Sequence, residues 1–144
     1  MGPAACEHCK RLRIVDVSQT EISEILGGTF AHCSQLQQLR LAKAVRRIGR
    51  DALLNCTSLG ELHAPPTLLF IDKQAFAGCT QLCTLIRVGR KTTWRGTYAE
   101  HDAFELCTQL ALPKWIRLLP KPSDGKEEWA DFMSNCAETH NRER

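Results

Sequence analysis

The sequence predicts an α/β solenoid: a stack of short coils, with parallel strands on one side and short helices or turns on the return. Two observations predict it. The chain rewrites one segment at a 23-residue spacing, and each copy carries L-x-x-L-x-L or a close variant. Self-similarity at a fixed short period is the signature of stacked repeats. A third observation removes the competing helical bundle, because Pro or Gly falls near every copy and breaks long helices.

The three clearest copies read FAHCSQLQQLRLAKAVRRIGRDA from Phe30, LLNCTSLGELHAPPTLLFIDKQA from Leu53 and FAGCTQLCTLIRVGRKTT from Phe76. Each column keeps its chemistry. Phe30, Leu53 and Phe76 form one apolar column, and Cys33, Cys56 and Cys79 another. Leu36, Leu59 and Leu82 follow, then Leu39, Leu62 and Leu85. Val45 matches Leu68, Ile48 matches Ile71, and Ala52 matches Ala75. A weaker copy starts at Cys9, with Leu12, Val15 and Val17 lying 24 residues before Leu36, Leu39 and Leu41, and Ile22 and Ile25 lying 23 before Val45 and Ile48. Another starts at Ala103, with Phe104, Cys107 and Leu110; its Leu112, Ile116 and Leu119 are matched to Leu41, Val45 and Ile48, three residues short.

The elements follow in order along each coil. The end of L-x-x-L-x-L alternates with period two, so Leu39 and Leu41 point to one side, as in a short strand. Val45 and Ile48 turn inward after a bend, and the Ala-Phe-x-x-Cys segment makes the return as a short helix or turn. One coil cannot bury such a ring of side chains, but three or more bury one another's. Strands stacked in this way run parallel, about 4.8 Å apart.

The segment Leu59 to Cys79, LGELHAPPTLLFIDKQAFAGC, resembles the BspA-like, or treponemal, class of leucine-rich repeat. The A-F-x-x-C turn and the 23-residue period carry the resemblance, which covers about residues 9 to 119. The more familiar leucine-rich class would place Asn near Ala44. The resemblance implies a right-handed solenoid with its strands on the concave side, and a recognition role, commonly toward another protein. Many relatives are exported and carry long arrays, whereas this chain shows no export signal and about four to five coils. The expected organisation is an N-terminal tail (1–8), a solenoid (9–122), and a capping helix with a frayed tail (123–144). In the last segment Ser123 or Asp124 caps a helix whose Trp129, Phe132, Met133 and Cys136 form one stripe.

The totals suit one domain. The chain has 144 residues, 43% hydrophobic and 24% charged, with a formal net charge of +3. That balance is too mild for a dense nucleic-acid footprint. Basic residues gather from Arg40 to Arg50 and are expected on a solvated face. The first 15 residues lack the apolar core of a signal peptide, no run is long enough to span a membrane, and Cys6 stands where myristoylation wants Ser or Thr. A reducing compartment, cytoplasmic or nuclear, is expected, with no membrane partner.

Eight cysteines suggest disulfides, but their placement argues otherwise. Cys33, Cys56, Cys79 and Cys107 hold one repeat column, with Cys9 at its start. In a parallel stack such residues point the same way, a strand spacing apart. A disulfide wants Cβ atoms about 3.8 Å apart. Reduced thiols serving as small apolar wedges are expected. Cys6 and Cys9 form C-x-x-C, a zinc or thiol alternative, although a zinc site needs a second ligand pair.

Functional candidates sit on the strip facing away from the core and at the break in the repeat. The strip comprises Gln38 and Arg40, Glu61 and His63, then Thr84 and Ile86, with a one-residue slip in the third coil allowed for by Arg87. Glu61 and His63 are half of a catalytic constellation without a nucleophile. The break, GRKTTWRGTYAEHD, adds five residues to the period and carries Trp94, Arg95 and Tyr98. Trp94 is expected to plug the core, with Arg95 and Tyr98 exposed. The expected function is a non-enzymatic protein-protein interaction or scaffold module using Gln38, Arg40, Glu61, His63, Thr84, Trp94, Arg95 and Tyr98. No catalytic residue, metal, cofactor or small-molecule substrate is expected. The alternatives are nucleic-acid binding through Arg40–Arg50 and the Trp94 loop, and a zinc or thiol function at Cys6 and Cys9.

Overall fold

The computed structural model describes residues 2–88 and 96–121. Each coil writes two short strands. The L-x-x-L-x-L segment supplies the first: β1 (Ile14–Asp16), β3 (Gln38–Arg40), β5 (Glu61–Ala64) and β7 (Thr84–Arg87). The apolar pair after the bend supplies the second: β2 (Glu24–Ile25), β4 (Arg47–Ile48), β6 (Phe70–Ile71), β8 (Thr97–Ala99) and β9 (Ile116–Leu118). They form two parallel sheets, ordered β1-β3-β5-β7 and β2-β4-β6-β8-β9. The product is a parallel-strand β-solenoid of about four turns.

The register is the one the columns demand. Val15, Leu39, Leu62 and Leu85 stand in file across the first sheet. Ile25, Ile48, Ile71 and Ala99 stand in file across the second. Between the sheets the Leu, Ile, Phe and Cys columns merge into one continuous core. The 24-residue offset of the first copy is real, since Val15 pairs with Leu39.

The third side of each coil is made of turns. Among the described residues no segment is helical, so the helical half of the α/β expectation finds no support there. The reason is where the backbone bonds go. The N–H groups of Phe30, Leu53 and Phe76 donate to Ala52, Ala75 and Ala103 of the next coil, at 2.7–2.8 Å. A helix would send them to its own carbonyls four residues back. Two residues per turn also take left-handed φ: Gly28, Asp51 and Gln74 in one column, and His32, Asn55 and Gly78 in the other. That conformation ends a helix rather than extending it. The capping helix expected at 123–144 lies outside the described residues.

Three details correct the sequence alignment. No slip occurs in the third coil: Leu62 pairs with Leu85 and Ala64 with Arg87. The final coil is shifted by one residue, with Leu118 rather than Leu119 beside Ala99 and Ile116 beside Thr97. It is also shorter than supposed, since the step from Ala99 to Leu118 is 19 residues, four below the period. The residues lost are those of the first-sheet strand, so β7 ends that sheet while β9 extends the other. At the start, the N–H groups of Ala4, Cys6 and His8 donate to Gly27, Thr29 and Ala31, so coil-to-coil bonding begins ahead of Cys9.

Candidate functional site

Alternation on β3 and β5 turns Leu39 and Leu62 inward and leaves Gln38, Arg40, Glu61 and His63 on the outer face. Register brings them together: Gln38 is beside Glu61, and Arg40 beside His63. Gln38 Nε2 lies 3.1 Å from His63 Nε2 and 3.5 Å from Glu61 Oε1, and His63 Nε2 also bonds Glu61 Oε1. With the Nε2 proton given to Glu61, that nitrogen has no lone pair for Gln38, whose amide donates to the Glu61 oxygen instead. Arg40 stands at 3.8 Å from Asp16 across β1 and remains half exposed. Thr84 continues this face on β7, beside Glu61.

At the carboxyl ends of these strands the chain bends toward the second sheet, and the bends of four coils line up into a groove of about 680 Å³. Ser18 follows β1, Leu41 and Lys43 follow β3, Pro65 to Thr67 follow β5, and Val88 follows β7. Its walls are apolar at Leu41, Pro65 and Val88, and Arg40, Lys43 and His63 bring positive or titratable groups to it. Thr67 fixes the bends to one another, its one hydroxyl hydrogen shared between the Lys43 and Val45 carbonyls at 2.7 and 2.9 Å. The volume falls inside the range of about 300–1,000 Å³ typical of ligand clefts. Sequence reasoning found Arg40 and His63 but missed the groove. The two prolines in a row, Pro65-Pro66, were the available signal for a bend that holds its shape.

A family model for a BspA type leucine rich repeat region, in six copies, matches residues 1–83, more than half of the chain. The chain belongs to the BspA-type leucine-rich-repeat family. This repeat type is that of a protein-interaction module and is typically non-enzymatic. The match ends at Cys83, whereas the BspA-type stack runs on through β7, β8 and β9. No curated protein matches the chain.

Other expected site residues of this BspA-type chain scatter. Tyr98 lies on β8 in the second sheet, beside Phe70 and Arg117, away from the Gln38–His63 face. Trp94 and Arg95 lie outside the described residues. The position expected for Trp94 in the core file is held by Ala99, which is fully buried. The basic run is divided among faces. Arg40 is on the first sheet, whereas Arg47 is on the second, where it bonds Asp72 at 2.5 Å, approaches Glu24 at 3.8 Å and lies over the Phe70 ring. Arg50 sits 3.7 Å from Asp51. Arg87, in the Ala64 position, lies over Trp115, and burial pushes its guanidinium down to about 10.

The cysteine column has a polar task as well as an apolar one. Cys56, Cys79 and Cys107 each donate a thiol hydrogen to a carbonyl of the preceding coil, at Phe30, Leu53 and Phe76, over 3.0–3.2 Å. Cys33 does the same to Cys6 at 3.0 Å. The seven described cysteines are free. Burial pushes the Cys56 thiol up to about 12 and that of Cys107 to about 11, and raises Cys33 and Cys79 too. Burial, with Cys9 beside it, raises Cys6. A protonated thiol is a weak nucleophile. Among the described residues no helix is long and apolar enough to cross a membrane.

Proposed function

We propose that the chain is a protein-interaction module that seats an extended segment of a partner protein in the groove across the coil bends, with the Gln38–His63 face as its shoulder. The observation that carries this is the groove itself: four successive bends, apolar walls, and Arg40, Lys43 and His63 along it. Four coils at about 4.8 Å spacing give a path of about 14 Å, enough for about four residues of extended chain. The walls fit an apolar side chain and the basic groups an acidic one. Thr84 lengthens the shoulder. Trp94 and Arg95 follow the groove's Val88 in the chain and are proposed to contribute to the same contact, with Tyr98 a separate contact on the second sheet. A nucleic-acid role has less support, because Arg40, Arg47 and Arg50 stand on different faces and each has an acidic neighbour. Raised thiols at Cys6 and through the column offer a redox role no support.

Selection from a displayed peptide library tests the proposal. Wild type is expected to enrich short peptides pairing an acidic with an apolar residue. Arg40→Glu with Lys43→Glu is expected to weaken them about tenfold or more, as loss of charge complementarity does. Lys114→Glu, exposed ahead of β9, is the control and leaves them unchanged. Peptides that bind the groove variant as well as wild type place the contact elsewhere.

A further inference from the structure

We propose that Glu7, His8 and His32 form a surface site for one divalent transition-metal ion of the zinc or nickel class. One ligand atom from each of the three lies within 4.8 Å of the other two. Donors of this kind hold zinc at about 2.0–2.2 Å, so turning exposed side chains is enough to close the set. The site lies at the first turn of the stack, apart from the groove, and depends on nothing proposed for it.

The fold delivers the two histidines to one place. They occupy the same turn position in successive coils, both with left-handed backbones, φ 60 and 61°. Inter-coil bonds pin both, His8 N–H to Ala31 at 2.9 Å and His32 N–H to Leu54 at 2.7 Å. Their rings stack, with centroids 4.7 Å apart and planes 8° from parallel. An imidazole donates its lone pair in the ring plane, so stacked rings cannot share an ion until one of them turns. His8, whose side chain is 61% exposed, has that freedom, and its Nε2 already lies 3.6 Å from Glu7 Oε1. His32 is steadied from its far edge, where Nδ1 lies 3.4 Å from the Asn55 side-chain amide. Asn55 presents Nδ2 to that nitrogen; turning the amide over would let its Oδ1 accept the Nδ1 proton and leave Nε2 for the ion. Metal-binding histidines are commonly oriented by such an outer partner.

The donor set selects the class of ion. Two imidazoles and one carboxylate suit zinc, nickel or copper, whereas calcium and magnesium want oxygen sets. Three protein ligands leave a fourth tetrahedral position for water or for a donor from another molecule. Cys6 and Cys9 flank Glu7 and His8 and are the competing ligands.

Calorimetric titration of the full chain with zinc, and separately with nickel, tests the site. The variants are His8→Asn and His32→Asn; Asn55 already holds this turn position in the third coil, at φ 58°, so the backbone is kept. The expected result is one ion per chain. Each Asn variant is expected to bind at least about tenfold more weakly at an unchanged metal-free melting temperature. A Cys6→Ser/Cys9→Ser chain is expected to bind like wild type. A cobalt spectrum settles the ligand type without substitution, since thiolate ligation gives an intense charge-transfer band. No saturable binding by wild type, binding that survives both Asn variants, or a thiolate band overturns the proposal.

Discussion

Leu106 stands at φ 64° with its side chain 65% exposed, in the column where other coils place His8, His32, Asn55 and Gly78. Left-handed backbone costs a Cβ-bearing residue about 1–2 kcal/mol, and Gly and Asn the least. Leu106→Gly is therefore expected to stabilise the chain by about 1 kcal/mol, read as a higher midpoint in urea; a lower midpoint would mean the side chain makes contacts worth more than the strain. Glu100 is a second single-residue liability. It is 1% exposed, and its Oε1 has no hydrogen-bond partner. Burial pushes its carboxyl above the usual range and Asp72 and Asp102 add to this, while Lys73 and His101 pull the other way. The native state then keeps this proton to higher pH than the unfolded chain, so stability falls as pH rises from the ordinary glutamate range through the native value. Glu100→Gln is expected to remove that fall and raise the melting temperature at pH 7. If it melts lower there, the ionised carboxylate has a native partner.

At the scale of elements, the strands were legible and the returns were not. The period-two end of L-x-x-L-x-L located β3, β5 and β7, because one face of each had to be apolar. The return reads equally as helix or turn, because Ala-Phe-x-x-Cys has no period of its own. What decides it is bonding to the next coil, which no single copy displays. The last coil was misaligned for a related reason: Ile116 and Leu119 are both buried, so apolar matching alone could not choose the register that the β8–β9 bonds impose. Position within the sheet sets energetics too. Leu62 sits between two strands and is 1% exposed, while Leu85 is at the sheet's end and only partly buried. Leu62→Ala is expected to cost about 2–5 kcal/mol and Leu85→Ala clearly less, by chemical denaturation; equal costs would mean that β7 is covered as β5 is. At the far end Leu112 and Leu118 are exposed. We propose the Trp129–Cys136 stripe as their cover. Removing residues 123–144 is expected to cause self-association in sedimentation, and an unchanged monomer would remove the proposal.

The whole molecule is close to one-dimensional: each coil touches its neighbours, and stability accumulates along the stack. This is why a single sequence reveals so much of the fold. Each copy is constrained to the outline of the next, so Cys33, Cys56 and Cys79 declare their equivalence without an alignment of relatives. The candidate site is less legible for the same reason. Its groove is made by aligned bends rather than by a motif, and its residues Ser18, Lys43, Pro65 and Val88 share a location but no chemistry. The Glu7, His8 and His32 cluster is hidden likewise, because His8 and His32 meet only through the 24-residue offset of the first coil. The measurement that bears most directly on this architecture is a methyl NOE experiment on leucine-labelled protein. Stacking predicts cross-peaks from Leu39 to Leu62 and from Leu62 to Leu85, with none between Leu39 and Leu85, two strand spacings or about 9.6 Å apart. Loss of the two neighbour peaks, or a direct Leu39–Leu85 contact, would contradict it.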